Sequence, residues 1–145
     1  MQVCDVMTTG IQACHTEDTL ADAITRMWKG DSDWLPVIDW EDRILGQISD
    51  HDVQTALGRT SHTATEVSVG EAMSHTVTTC SPNDELQQAL HVMRESRSAR
   101  LPVVDPDRKL LGIFSLRALL ERRKESGDDM GVGESELLEF SYGDL

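Results

Sequence analysis

No stretch of this 145-residue chain approaches the roughly 18 consecutive apolar residues that a membrane-spanning helix needs. Its opening, Met1-Gln2-Val3-Cys4-Asp5, has neither the basic nor the apolar region of a secretory signal, so a cytoplasmic protein without a membrane partner is expected. Cysteine is scarce. Cys4, Cys14 and Cys80 form an odd set without C-x-x-C spacing, which argues against a disulfide framework and a zinc clamp and for small buried thiols. Positive charge is short as well: 13 Lys and Arg against 26 Asp and Glu give a formal charge of −13. Nucleic acid is therefore an improbable partner, because phosphate neutralisation needs clustered bases. The chain also lacks a P-loop, a His-Glu-x-x-His and a Gly-x-Ser-x-Gly. Ser49, His51 and Asp52 lie within one helical turn and point to different sides, so they cannot line up as nucleophile, base and orienter. The five histidines show no paired ligand spacing, and no metal site is expected.

What the chain does have is itself, twice. Displaced by 66 residues, Val3–Val53 falls on Val69–Leu119 without a gap. Met7 meets Met73, Cys14 meets Cys80, and Asp18 meets Asp84; Leu20, Ala23 and Met27 meet Leu86, Ala89 and Met93. Leu35-Pro36-Val37-Ile38-Asp39 lands on Leu101-Pro102-Val103-Val104-Asp105, and Leu45-Gly46-Gln47-Ile48-Ser49 on Leu111-Gly112-Ile113-Phe114-Ser115. Most identities are apolar, Gly or Pro, so the copies share a backbone and a core. The spacing divides the chain into repeats over 1–58 and 68–125, a polar linker over 59–67, and an acidic, flexible tail over 126–145. Charge is unevenly spread: −8 through Glu66, +2 from Val67 to Lys124, and −7 beyond. An anion would prefer the second copy.

Periodicity gives each copy the order β-α-β-β-α, an α+β fold. Strands are expected at Ile11–Cys14 and Val77–Cys80, and helices from Asp18 to just before Gly30 and from Asp84 to about Ser96. Hairpins follow over Leu35–Ile48 and Leu101–Phe114, and final helices start after Ser49 and from Leu116. In the tail, Leu137, Leu138 and Phe140 could present one apolar face.

A gapless tandem with Met near each start, Leu-Pro-Val-(Ile/Val)-Asp in the first hairpin strand and Leu-Gly-x-x-Ser before the last helix resembles the cystathionine β-synthase (CBS) domain family over about residues 1–125. The resemblance implies a stand-alone pair of repeats packed about a pseudo-twofold axis, with two clefts that take adenosine-containing ligands. It implies a homodimer that signals to an unknown protein partner. An adenine nucleotide or adenosine derivative would be a regulatory ligand, with no required cofactor.

The same resemblance nominates site residues. Gly46-Gln47-Ile48-Ser49-Asp50-His51-Asp52 follows the family pattern Gly-h-h-(Ser/Thr)-x-x-Asp except at Gln47, where the pattern is apolar. It implies that Asp52 binds ribose hydroxyls and Ser49, with His51 beside it, contacts ribose or phosphate; a carboxylate offers two acceptors to a vicinal diol. Ser49-x-x-Asp52 is equally the signature of a helix capping box. Thr16, Trp34, Leu35 and Pro36 are nominated around the base, where Trp34 could stack on a purine or simply pack. In the second copy Ala118 replaces the ribose carboxylate, while Arg117, Arg97 and Arg100 stand where the first copy has His51, Asp31 and Trp34. Pro82, Leu101, Pro102 and Ser115 complete that anion-attracting counterpart. The competing reading is a ligand-free dimerisation or protein-interaction module, which the loss of the carboxylate at Ala118 supports.

Overall fold

The computed structural model describes residues 1–126; the acidic tail and its Leu137, Leu138 and Phe140 lie outside them. Each copy opens with a four-residue helix that periodicity is too short to reveal, α1 (Val3–Val6) and its counterpart α4 (Val69–Ala72). The other elements are α2 (Leu20–Lys29), β1 (Trp34–Ile38), β2 (Ile44–Ser49), α3 (Asp50–Gly58), α5 (Leu86–Ser96), β3 (Arg100–Val104), β4 (Leu110–Ser115) and α6 (Leu116–Ser126). Among the described residues no helix is long and apolar enough to cross a membrane.

The long amphipathic helix of each copy begins two residues later than expected, at Leu20 and Leu86. Thr19 caps α2, its side chain accepting from Asp22 N while Asp22 reaches back to Thr19 N. Asp18 instead closes the preceding turn, Oδ2 accepting from His15 N at 2.8 Å, as Asp84 accepts from Ser81 N at 2.9 Å. The expected strands at Ile11–Cys14 and Val77–Cys80 shrink to single bridging residues. Cys14 pairs in parallel with Val37 and Cys80 with Val103. The reason is local: only one residue meets the sheet edge before the chain enters the turn that Asp18 or Asp84 holds. Both of these cysteines are buried, but Cys4 is exposed, which corrects the expectation of three buried thiols.

β1 and β2 form one antiparallel hairpin, β3 and β4 another. Along β1, Leu35 and Val37 turn into a core shared with Ile48, Leu20, Ala23, Met27 and Val69. In the other hairpin Leu101, Val103 and Phe114 join Leu86, Ala89, Met93 and Val3.

Val3 therefore sits in the core of the second hairpin and Val69 in that of the first. The two compact units of the molecule do not follow the copies. One consists of Met1–Gly10, Thr78–Pro106 and the described residues from Leu111 onward; the other of Ile11–Val77 with Asp107–Leu110. In the first of these, Val3 N donates to Asp84 O at 2.9 Å and Cys4 N to Pro82 O at 2.9 Å, while Thr8 and Ile113 exchange two backbone hydrogen bonds. In the second, Val69 N donates to Asp18 O at 2.7 Å, Gly70 N to Thr16 O at 3.0 Å, and Ser74 and Gln47 make the same exchange. Each copy thus gives its opening helix and the following residues to the other copy's hairpin. The segment read as a linker is tied down too, for Leu20 N donates to Val67 O and Ala21 N to Ala64 O.

Candidate functional site

Strand alternation puts Trp34 and Pro36 on the hairpin face opposite the core residues Leu35 and Val37. In the ladder Trp34 faces Ser49 and Pro36 faces Gln47. Side chains of directly opposed residues share a face, so Trp34, Pro36, Gln47 and Ser49 form one surface at the end of the hairpin. Ser49 then caps α3. Its Oγ accepts from Asp52 N at 3.1 Å and its own N donates to Asp52 Oδ2 at 2.9 Å, a complete capping box. Asp52 is half-buried and uses one carboxylate oxygen in this bond, so the second remains an open acceptor. His51 is exposed one residue earlier.

Trp34 is only 8% exposed, and its indole Nε1 donates to Gln47 Oε1 at 2.7 Å. Thr16 is half-buried, in the turn that receives Gly70 N. Leu35 sends its side chain into the core, away from the Trp34 face, so only its backbone is available at this surface. Gln47 stands out in the sequence as the polar exception in an apolar slot of the motif, but the sequence assigns it no role at the site.

In the other unit Ser115 caps α6, its Oγ accepting from Ala118 N at 3.1 Å, and no carboxylate stands at Ala118 to complete a box. Arg117 is exposed and lies 3.6 Å from Glu121 one turn on. Arg97 is exposed at the C-cap of α5 with φ of 54°, as is Asp31 after α2 with φ of 48°. Arg100 opens β3, half-buried. Leu101 belongs to the core, Pro102 is buried, and the Pro82 carbonyl is occupied by Cys4 N.

A second polar cluster surrounds the His15–Asp18 turn. Arg26 bonds Asp18 Oδ2 and donates to Ala13 O at 3.2 Å, with Cys14 Sγ 3.5 Å away. Burial pushes the Cys14 thiol up against the opposing pull of Arg26, and burial pushes Cys80 up to about 12. Both shifts favour the protonated thiol at neutral pH. Trp40, 74% exposed, lies flat on His15 with centroids 3.8 Å apart and bonds Glu17 through Nε1. Among the described residues no three His, Cys, Asp or Glu side chains gather as metal ligands.

Two α+β units, each a hairpin leading through a capping serine into a helix and each completed by the other copy's opening segment, define a tandem-repeat module. The model of the CBS domain matches residues 3–59 and again residues 69–125. The chain belongs to the CBS domain family and carries the domain in tandem. It is similar to the inosine-5'-monophosphate dehydrogenase of Methanocaldococcus jannaschii, 35% identical over 108 residues that cover 74% of this chain and 21% of that enzyme. The match thus spans about a fifth of the dehydrogenase. Hypoxic response protein 1 of Mycobacterium tuberculosis is 30% identical over 114 residues, 77% of each chain. Among solved structures, that of CBSX2 in complex with AMP superposes with a TM-score of 0.73 at 25% identity, covering 86% of this chain and 97% of that one; CBSX2 is an Arabidopsis thaliana protein.

Proposed function

We propose that this CBS pair is a non-catalytic, cytoplasmic regulatory module that binds an adenosine-containing ligand and signals, as a homodimer, to a protein partner. The observation that carries the reading is the state of Asp52. The capping box orients its half-buried carboxylate yet uses only one oxygen, leaving the other for a ribose hydroxyl. The CBS relative whose structure contains AMP supports the ligand class. No group is required for chemistry; the ligand is the signal. Its effect on a partner equals its differential affinity for the states the partner distinguishes.

The two sites differ in charge at equivalent backbone positions. Asp50 N donates to Asp33 O at 2.8 Å, and in the second copy Leu116 N donates to Ala99 O at 2.9 Å, the same closure 66 residues on. Around it the first copy has Asp31, Asp33, Asp50 and Asp52; the second has Arg97, Ala99, Leu116 and Ala118 in those places, with Arg100 and Arg117 beside them. Four acids are exchanged for one base and three uncharged residues. The first site accordingly takes the nucleoside through its diol and disfavours added phosphate, while the second attracts phosphate without a diol acceptor. The alternative is a ligand-free dimerisation or protein-interaction module with both clefts empty, and the missing carboxylate at Ala118 is the observation that favours it.

Calorimetry and thermal shift with adenosine, AMP, ADP, ATP and S-adenosylmethionine test this, since a ligand at a hundred times its dissociation constant stabilises the fold by about 2.7 kcal/mol. Asp52→Ala should weaken adenosine about tenfold or more, and Arg117→Ala should weaken AMP while sparing adenosine. No shift with any of the five ligands would favour the interaction module, and equal losses for both ligands in both variants would remove the asymmetry.

A further inference from the structure

Gln47 gathers three segments on one carboxamide. Oε1 accepts from Trp34 Nε1 at 2.7 Å on β1, and Nε2 donates to Thr76 O at 3.0 Å on the segment that follows α4. Its backbone exchanges two hydrogen bonds with Ser74, Gln47 N to Ser74 O at 3.0 Å and Ser74 N to Gln47 O at 2.8 Å. Ser74 Oγ in turn donates to Thr76 O at 3.2 Å and accepts from Thr76 N at 3.3 Å. The counterpart Ile113 keeps the backbone exchange with Thr8 but has no carboxamide, and Trp34 is answered by Arg100. The relay therefore belongs to the first copy alone, the copy that also has Asp52.

A half-buried polar side chain is held in one orientation when both its groups are bonded, and a buried indole N–H needs an acceptor. Gln47 meets both needs at once, and in doing so fixes the ring of Trp34 directly across the ladder from Ser49. Thr76 lies one residue before Val77, where the chain leaves its unit for the other at Thr78.

We propose that Gln47 is the positioning residue of the first-copy site: it sets Trp34 against the ligand and ties that ring, through Thr76, to the segment by which the chain crosses between its two units. This rests on the reading of Ser49 and Asp52 as adenosine contacts. A ligand seated against Trp34 then orders Gln47 and the Ser74–Thr76 segment together, and the crossover segment is the part that reports occupancy.

The test is adenosine affinity by calorimetry on the full chain. Gln47→Met keeps the length of the side chain and removes both bonds; Trp34→Phe keeps a ring and removes the donor. Each should weaken adenosine about tenfold, and the double variant no more than either single one, because the two side chains act as a unit. Urea denaturation run alongside separates positioning from mere stability. A Gln47→Met protein that is less stable but binds adenosine as the wild type does overturns the proposal, and so do losses that multiply in the double variant. Should Gln47→Met fail to fold, Trp34→Phe carries the same expectation. Amide exchange at Ser74 and Thr76 in the wild type should in addition slow at least severalfold with saturating adenosine, and unchanged exchange overturns the coupling. A wild type that binds neither adenosine nor AMP overturns the site reading and this proposal together, whereas intact binding in every variant overturns this proposal alone.

Discussion

Asp18 and Asp84 hold the same turn, each through a backbone N–H three residues earlier, but only Asp18 also meets a guanidinium. The counterpart of Arg26 is Val92. Burial by itself would raise the Asp18 carboxyl; the Arg26 bond and the His15 N–H outweigh it and hold the group below the ordinary carboxylate value. A carboxyl depressed in the folded state contributes stability that is complete above its unfolded value of about 3.9 and is lost as pH falls through the folded value. Asp18→Asn keeps the shape of the side chain and deletes the charge that Arg26 faces. It should cost about 1–3 kcal/mol at pH 7, and the gap to the wild type should close as pH drops below about 4. Urea denaturation at pH 7, 5 and 3 checks it; a gap of constant size would mean that the ion pair contributes nothing of its own.

At the scale of elements, the exchanged opening segments explain why two glycines recur. A Cβ on Gly46 would stand 2.1 Å from the Ser74 carbonyl oxygen and 2.5 Å from Met73 Cε; on Gly112 it would stand 2.7 Å from the Thr8 oxygen and 3.1 Å from Met7 Sδ. Backbone cannot yield as a flexible side chain can, so Gly46→Ala should cost about 3 kcal/mol and Gly112→Ala about 1–2 kcal/mol in equilibrium denaturation. The reverse order would contradict the geometry. Met7, Met73, Gly46 and Gly112 were all visible in the repeat, yet their partnership was not: both copies carry the same pair, so contact within a copy and contact across copies leave the same pattern. The hairpins and long helices were legible because their apolar spacing is sustained, whereas α1 and α4 have four residues each and no period to read. Ser49 and Asp52 were legible as a pair because a cap is a local event. Gln47 was noticed as an exception, but its partner Thr76 is 29 residues away, beyond what spacing reveals.

At the scale of the whole molecule, a chain of net charge −13 is proposed to attract a phosphate at one site. Screening decides between the global and the local field. At 0.15 M salt the Debye length is about 8 Å, so a ligand near Arg97, Arg100 and Arg117 senses chiefly those arginines; at 0.01 M it is about 30 Å, and distant acids count as well. Ending the chain at Glu125 removes six of those acids, Asp128, Asp129, Glu134, Glu136, Glu139 and Asp144, and no base. If the tail acts only through its charge, the shortened protein should bind AMP severalfold more tightly than the full chain at 0.01 M salt and nearly equally at 0.15 M. Adenosine, uncharged, should bind both proteins alike at either salt, which calorimetry can measure on the same samples. A gain for AMP that is as large at 0.15 M as at 0.01 M would show instead that tail carboxylates compete for the arginines at contact distance, where screening is weak.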